Sequence, residues 1–194
     1  MIVRLDTPTS KKTAILESTL LLIKEHGFHG TPMSQIAKNA GVAAGTIYHY
    51  FDSKDDLIKE LYMYVKDKLT EAVFRNDDEK RDYKSRFLDF WVNQCTFFIE
   101  NDAFLYFLEQ FINSPYAKIF GQLESKLFIN KLKPFITYGI ESGQIRKMDY
   151  HLLGPIVHGS IITAAKIHLF GHQDFTRDKQ YEMAAIIWDG IKAQ

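Results

Sequence analysis

The sequence predicts an all-α protein: a three-helix N-terminal unit with a helix-turn-helix, then a larger C-terminal helical domain, about nine helices in all. Three observations carry this reading. Apolar residues recur at three- and four-residue spacing along nearly the whole chain, while alternating strand-type runs are almost absent. The 11 glycines and 5 prolines fall mostly between such segments. Residues 34–51 read as two short helices joined by a tight turn at Gly41, the second rich in small and aromatic residues.

The first helix covers residues 10–26. Ala14, Ile15, Leu21, Leu22 and Ile23, with Phe28 beyond, mark its core side, and Gly27 suits a left-handed cap. Thr31 can cap a second helix opened by Pro32. Gly41 ends that helix, because a sharp reversal needs the positive φ that glycine accepts. In the third helix, residues 44–50, Ile47 joins Ile36 and Phe51 as anchors onto the first helix, and Ala37 and Val42 are compact enough for close packing. Ala44, Gly45, Thr46, Tyr48 and His49 then face outward. Small residues let a backbone approach a duplex, hydroxyls reach phosphates, and an imidazole can donate to a phosphate or a base edge. Lys54 can add a point charge at a phosphate. The plainer alternative is that Tyr48, His49 and Tyr50 end an ordinary amphipathic helix.

Ser53 or Asp52 caps the fourth helix, with Asp55 and Asp56 at its positive end, and Leu57, Leu61, Tyr64, Val65 and Leu69 carry it to about Phe74. The division expected is residues 1–53 for the helix-turn-helix domain and 54–194 for the second domain, the fourth helix connecting them. The charged stretch 75–82 is the first candidate for a domain boundary, although a charged run of this kind is usually just a solvated connection. Further helices are expected at 83–100, 103–113, 115–121, 122–142 (stopped by Gly143), 149–170 (stopped by Gly171) and 177–193.

Composition narrows the function classes. Lys and Arg total 24 against 24 Asp and Glu, so no global charge points to nucleic acid. The first 54 residues hold six Lys or Arg and four acids, a mild local excess. A single cysteine, Cys95, rules out an intrachain disulfide. The first 15 residues contain no apolar h-region, and no apolar run approaches the roughly 20 residues a span requires. A cytoplasmic protein with no membrane association is expected. No Gly-rich phosphate loop, Gly-x-Ser-x-Gly or His-Glu-x-x-His is found, so no enzyme, cofactor or metal is expected. His168 and His172 are four apart, but Gly171 breaks the helix between them. Cys95 on an apolar helix reads as an inert buried thiol.

Gly27-Phe28-His29-Gly30-Thr31, Ile36-Ala37, Ala40-Gly41-Val42, Gly45-Thr46-Ile47-Tyr48-His49-Tyr50-Phe51 and Lys54-Asp55-Asp56-Leu57 together resemble the N-terminal signature of TetR-type transcriptional regulators. The resemblance spans about residues 10–60 and implies an all-α homodimer with a ligand-binding helical domain. By position it puts DNA contacts on Thr31 and Ser34 as well as Ala44, Gly45, Thr46, Tyr48, His49 and Lys54. Ala43 stands where the family often has a serine capping the third helix, a loss worth about 1 kcal/mol.

Beyond Arg81 the chain carries many of its 15 Phe, 10 Tyr and 2 Trp. Phe90, Trp91, Gln94, Phe98, Phe107, Phe111, Phe128 and Phe135 are candidates for an effector pocket, with plain core packing the alternative for each aromatic. No buried basic cluster is evident, so an apolar or amphipathic effector is expected in preference to a strongly anionic one. The apolar stretch 154–169, with small residues throughout, suits a dimer interface through Val157, Ile161 and Ala165, joined by Ile187 and Ile191 of the last helix; the alternative is a buried central helix. The expected function is a repressor that binds a palindromic operator in double-stranded DNA as a homodimer and is released by a small-molecule effector. The rival is a DNA-binding regulator without an inducer, controlled by a protein partner.

Overall fold

A computed structural model describes residues 10–171 and 175–194. Among them are ten α-helices, against about nine expected: α1 Lys11–His26, α2 Met33–Asn39, α3 Ala44–Tyr50, α4 Lys54–Val73, α5 Tyr83–Glu100, α6 Asp102–Ile112, α7 Pro115–Phe120, α8 Lys133–Glu141, α9 Tyr150–Leu169 and α10 Arg177–Ile191. A π-helical turn, Phe128–Leu132, leads into α8. No strand occurs among the described residues; the one bridge pairs Ile145 with Lys192.

Local chemistry explains most helix starts. Ser10 accepts from the Thr13 amide at 3.1 Å, Ser53 from Asp56 at 3.1 Å, and Asp82 from Ser85 at 3.0 Å, so each satisfies an amide the helix cannot. The helix expected over 122–142 is instead irregular up to Ser125 and widens over Phe128–Leu132. Pro134 lies just beyond that turn; it lacks an N–H and crowds the carbonyl four residues back, which favours the wider spacing.

Contacts divide the chain into two compact units, and none of the three breaks falls at 53/54. Unit 1 takes the residues up to Tyr64 together with Tyr106–Gln122; unit 2 takes Val65–Leu105 and Leu123–Gln194. Helices α4 and α6 each contribute to both units. The charged stretch 75–82 lies inside unit 2 and marks no boundary.

In unit 1, α1 packs on α2 and α2 on α3. Ile15, Ile23, Ile36, Ile47, Phe51 and Leu57 are fully buried, as the anchor pattern requires. Leu21, expected inside, is 51% exposed; Ser18, Thr19 and Leu20 take the inner face instead, Ser18 and Thr19 donating to the Ile36 and Ile15 carbonyls. The Tyr106–Gln122 segment closes this core. Phe107 meets Phe28 edge-on at 5.9 Å, Phe111 stacks on Tyr62 at 4.2 Å, and Gln110 donates to the Ile23 carbonyl at the end of α1.

In unit 2, α5 is sandwiched by α9 and α10. Trp91, Val92, Cys95, Phe98, Ile161, Ala164 and Ala165 fill the contact with nearly no exposure. The stretch Leu152–Leu169 is long and apolar enough to cross a membrane, contrary to the sequence expectation. In the fold it serves as a core-forming helix, its inner face (Leu153, Val157, Ile161, Ala165) buried within unit 2.

Gly139 in α8 faces the Tyr83 ring so closely that an added Cβ would overlap it. That ring cannot retreat: it stacks on Phe135 at 4.8 Å and donates to the Phe135 carbonyl at 3.2 Å. Gly139→Ala is therefore expected to lower the unfolding free energy by roughly 1–3 kcal/mol, the usual cost of overpacking, read from the midpoint of chemical denaturation.

Candidate functional site

The outward face of the helix-turn-helix follows from how α3 is held. Gly41 (φ 65°) makes the reversal, and the Val42 amide closes it on the Ala37 carbonyl at 3.0 Å. Ile47 is fully buried, so the residues around it on a seven-residue helix must point away: Ala44, Gly45, Tyr48 (57% exposed) and His49 are exposed and Thr46 is half-buried. The His49 and Tyr50 rings meet edge-on at 5.5 Å. Ala43 caps α3 without any side-chain hydrogen bond; only its carbonyl helps, accepting from Thr46 at 2.8 Å.

Three residues of the expected DNA face behave differently from one another. Ser34 is exposed at the start of α2. Thr31 is fully buried and does not cap α2, whose cap is Pro32; its hydroxyl donates to the Gly27 carbonyl at 2.8 Å, so it is not presented to a phosphate. The Lys54 ammonium donates to the Phe28 carbonyl, and partial burial lowers its pKa. Thr31 and Lys54 thus tie down the loop after α1, where Gly27 has a backbone (φ 69°, ψ 177°) open essentially to glycine alone, not the left-handed cap expected.

The eight expected pocket residues do not converge. Phe107 and Phe111 belong to the core of unit 1. In unit 2, Phe90 stacks on Phe135 at 5.6 Å and on Phe87 at 6.2 Å, with Phe74 against both Phe90 and Phe135, so this cluster is filled by its own rings. Phe128 lies under the Lys66 ammonium at 4.5 Å. Trp91 Nε1 donates to Ser160 Oγ at 2.9 Å, and the Gln94 amide donates to His158 Nδ1 at 2.7 Å, with Phe98 edge-on to the imidazole at 5.9 Å. Burial pushes His158 down to about 4 and the Cys95 thiol up to about 12, so both are neutral near pH 7.

A cleft of about 360 Å³ opens in unit 2 beside this aromatic cluster. Its walls carry Phe74 and Phe90, then Asp77, Arg81, Arg86, Asp89, Arg177 and Tyr181. Arg86 grips Asp77 with two bonds of 2.8 and 2.6 Å, and the pair is largely buried (12% and 18% exposed). Arg81 and the Tyr181 hydroxyl both bind Asp89 at 2.5 Å. Packing thus brings Arg177 to Arg81 and Arg86, which lie five residues apart, in a grouping of which only Arg86 is largely buried, so the expectation of no buried basic cluster is not overturned. Residues 81, 86 and 177 share no local motif, so only the packing of α10 on α5 reveals it.

The residues put forward for a dimer interface are mostly covered by the protomer itself. Val157, Ile161, Ala165 and Ile191 are buried and Ile187 is half-buried. The exposed apolar surface of these helices is instead Leu152 (59%), Ile156 (49%) and Ile186 (69%), with Pro155, Gly159 and Thr163 exposed on the same side of α9. His168 Nδ1 accepts from the Phe175 amide at 3.3 Å, while His172 lies outside the described residues.

Comparisons with known proteins agree with this geometry. A family model described as bacterial regulatory proteins, tetR family, matches residues 15–61, and one described as tetracyclin repressor-like, C-terminal domain, matches residues 82–192. The fatty acid metabolism regulator protein of Bacillus subtilis (strain 168) is 26% identical over 180 residues, covering 91% of this chain and 89% of its own. The crystal structure of a tetR family transcription regulator from Shewanella sp. PV-4 superposes with a TM-score of 0.82 at 26% identity, over 95% of this chain and all of that one (100%). FadR from Bacillus subtilis in complex with stearoyl-CoA shares the fold, with a TM-score of 0.67 at 22% identity over 91% of this chain and 95% of its own.

The low His158 value has a sign that can be checked. Below its ordinary value of 6.5 the unfolded chain takes up a proton that the folded chain refuses, so stability is complete above that pH and declines as pH falls toward 4. Urea midpoints measured between about pH 7 and pH 5 should fall for the native protein and fall less for His158→Gln. Equal slopes would remove His158 as the cause.

Proposed function

The chain belongs to the tetR family of bacterial DNA-binding transcriptional regulators, and from that premise we propose that it is a repressor, dimeric on a palindromic operator and released by an amphipathic effector. The observation that carries the DNA reading is the exposed face of α3, Ala44, Gly45, Tyr48 and His49, backed by the buried Ile47. A helix so mounted can enter a major groove while its small residues allow close approach. Ser34 adds a hydroxyl from α2; Thr31 and Lys54 support the face from behind.

The dimer is proposed through α9 and α10, using the exposed Leu152, Ile156 and Ile186 in place of the inner face. Two reading heads then engage half-sites about one helical turn apart, which is why the operator is expected to be palindromic. For effector control, support comes from the cleft of unit 2 and from α4 and α6, continuous helices that contribute to both units. In the proposed mechanism an occupied unit 2 shifts α4, and the ligand must bind the released form better to drive release. The complex of the Bacillus subtilis FadR with stearoyl-CoA supports an amphipathic effector. The filled Phe87, Phe90 and Phe135 cluster favours the second reading, control by a protein partner.

Duplexes selected by the native protein from a random pool are the substrate for the first test. The double variant Tyr48→Ala, His49→Ala is expected to bind them at least about tenfold more weakly, two groove contacts being lost, with its circular dichroism and mass in solution unchanged. Full retention of affinity would refute the assignment of α3 as the reading helix. The second test is Ile156→Glu, which places a charge on the exposed face of α9. Sedimentation should show a shift from dimer to monomer, and a dimer of undiminished stability would move the interface elsewhere.

A further inference from the structure

The cleft of unit 2 has a specific charge balance. Its two carboxylates are matched one to one, Asp77 by Arg86 and Asp89 by Arg81. Asp89 also takes the Tyr181 hydroxyl, which leaves that phenol's oxygen lone pairs facing Arg177. Among the described residues Arg177 has no carboxylate partner; it donates to Tyr181 Oη at 3.4 Å and lies over that ring at 5.6 Å. Among the lining residues this leaves one guanidinium without a carboxylate, lying over an aromatic face beside Phe74 and Phe90, while Glu79 and Asp82 act on Arg86 and Arg81 from outside the lining.

We propose that this cleft is a receptor for a singly charged carboxylate with an apolar body, its head held by Arg177 and its body laid against Phe74 and Phe90. A planar carboxylate matches the guanidinium fork through two parallel hydrogen bonds, and its single charge matches that one guanidinium. A doubly charged phosphate would leave one charge uncompensated in front of Asp77 and Asp89. The volume, about 360 Å³, lies in the lower range of small-molecule sites. The fixed Arg86–Asp77 pair anchors the connection after α4 as one wall, so the receptor is preformed.

This inference rests on reading unit 2 as the effector-sensing half, but its test is separable from that reading. Calorimetric titration of the full-length protein without DNA compares octanoate, octanol and inorganic phosphate. Octanoate is expected to bind, octanol and phosphate to bind at least about tenfold more weakly, and Arg177→Ala to lose octanoate by a similar factor, one charged pair of hydrogen bonds. Arg177→Lys keeps the charge without the fork and should recover only part. Arg177 lies at the exposed first turn of α10, and a thermal melt of each variant verifies the fold. No octanoate binding by the native protein, equal binding by Arg177→Ala, or phosphate binding as tight as octanoate would overturn the proposal. Operator release is measured separately. Binding that depends on Arg177 but leaves operator affinity unchanged sustains the receptor and removes effector control from the proposed function.

Discussion

A helix of seven residues with no side-chain cap does not hold itself together in water, and α3 is such a helix. Its order comes from the full burial of Ile47 as α3 packs on α2. That apolar anchorage is the constraint on which the helix-turn-helix depends, because the residues left exposed on α3 are those remaining once Ile47 is placed. A groove-reading surface must keep its side chains within fractions of an ångström of a productive position, and a surface carried on a buried platform does so. Thr31 and Lys54 belong to the platform. Their polar groups close carbonyls in the loop after α1 that burial would otherwise leave unsatisfied.

The platform extends further along the chain than the helix-turn-helix does. Gln110 closes the Ile23 carbonyl, Phe111 stacks on Tyr62, and the Tyr116 hydroxyl donates to Asp55 at 3.0 Å. Unit 1 thus takes half of α6 and all of α7 from the middle of the sequence.

Much of this was legible in advance. Ser53 announces a helix start, Gly41 the turn, and Ile36, Ile47 and Phe51 the anchors, each through chemistry acting within a few residues. The exposed face of α3 follows from those anchors by helical periodicity alone. Errors arose where two segments compete for one place. The spacing of Leu21 from Ala14 and Phe28 points it inward, yet Ser18 and Thr19 are buried there because each closes a carbonyl. Phe107 and Phe111 shared a dense aromatic run with Phe90 and Phe98, but composition does not say which core a ring joins.

The sequence by itself determined most of the helices, the cap at Ser53, the turn at Gly41 and the kind of regulator, because periodicity and capping are local and the family signature is contiguous. The tertiary structure alone decided which face of α9 is inward, which aromatics fill space instead of enclosing it, and that Arg81, Arg86 and Arg177 meet in one cleft. Those outcomes depend on contacts between segments up to about a hundred residues apart, such as Tyr181 with Asp89. Helix α9 is apolar nearly all round, so its pattern is compatible with more than one orientation. Packing against α5 and α10 selects one.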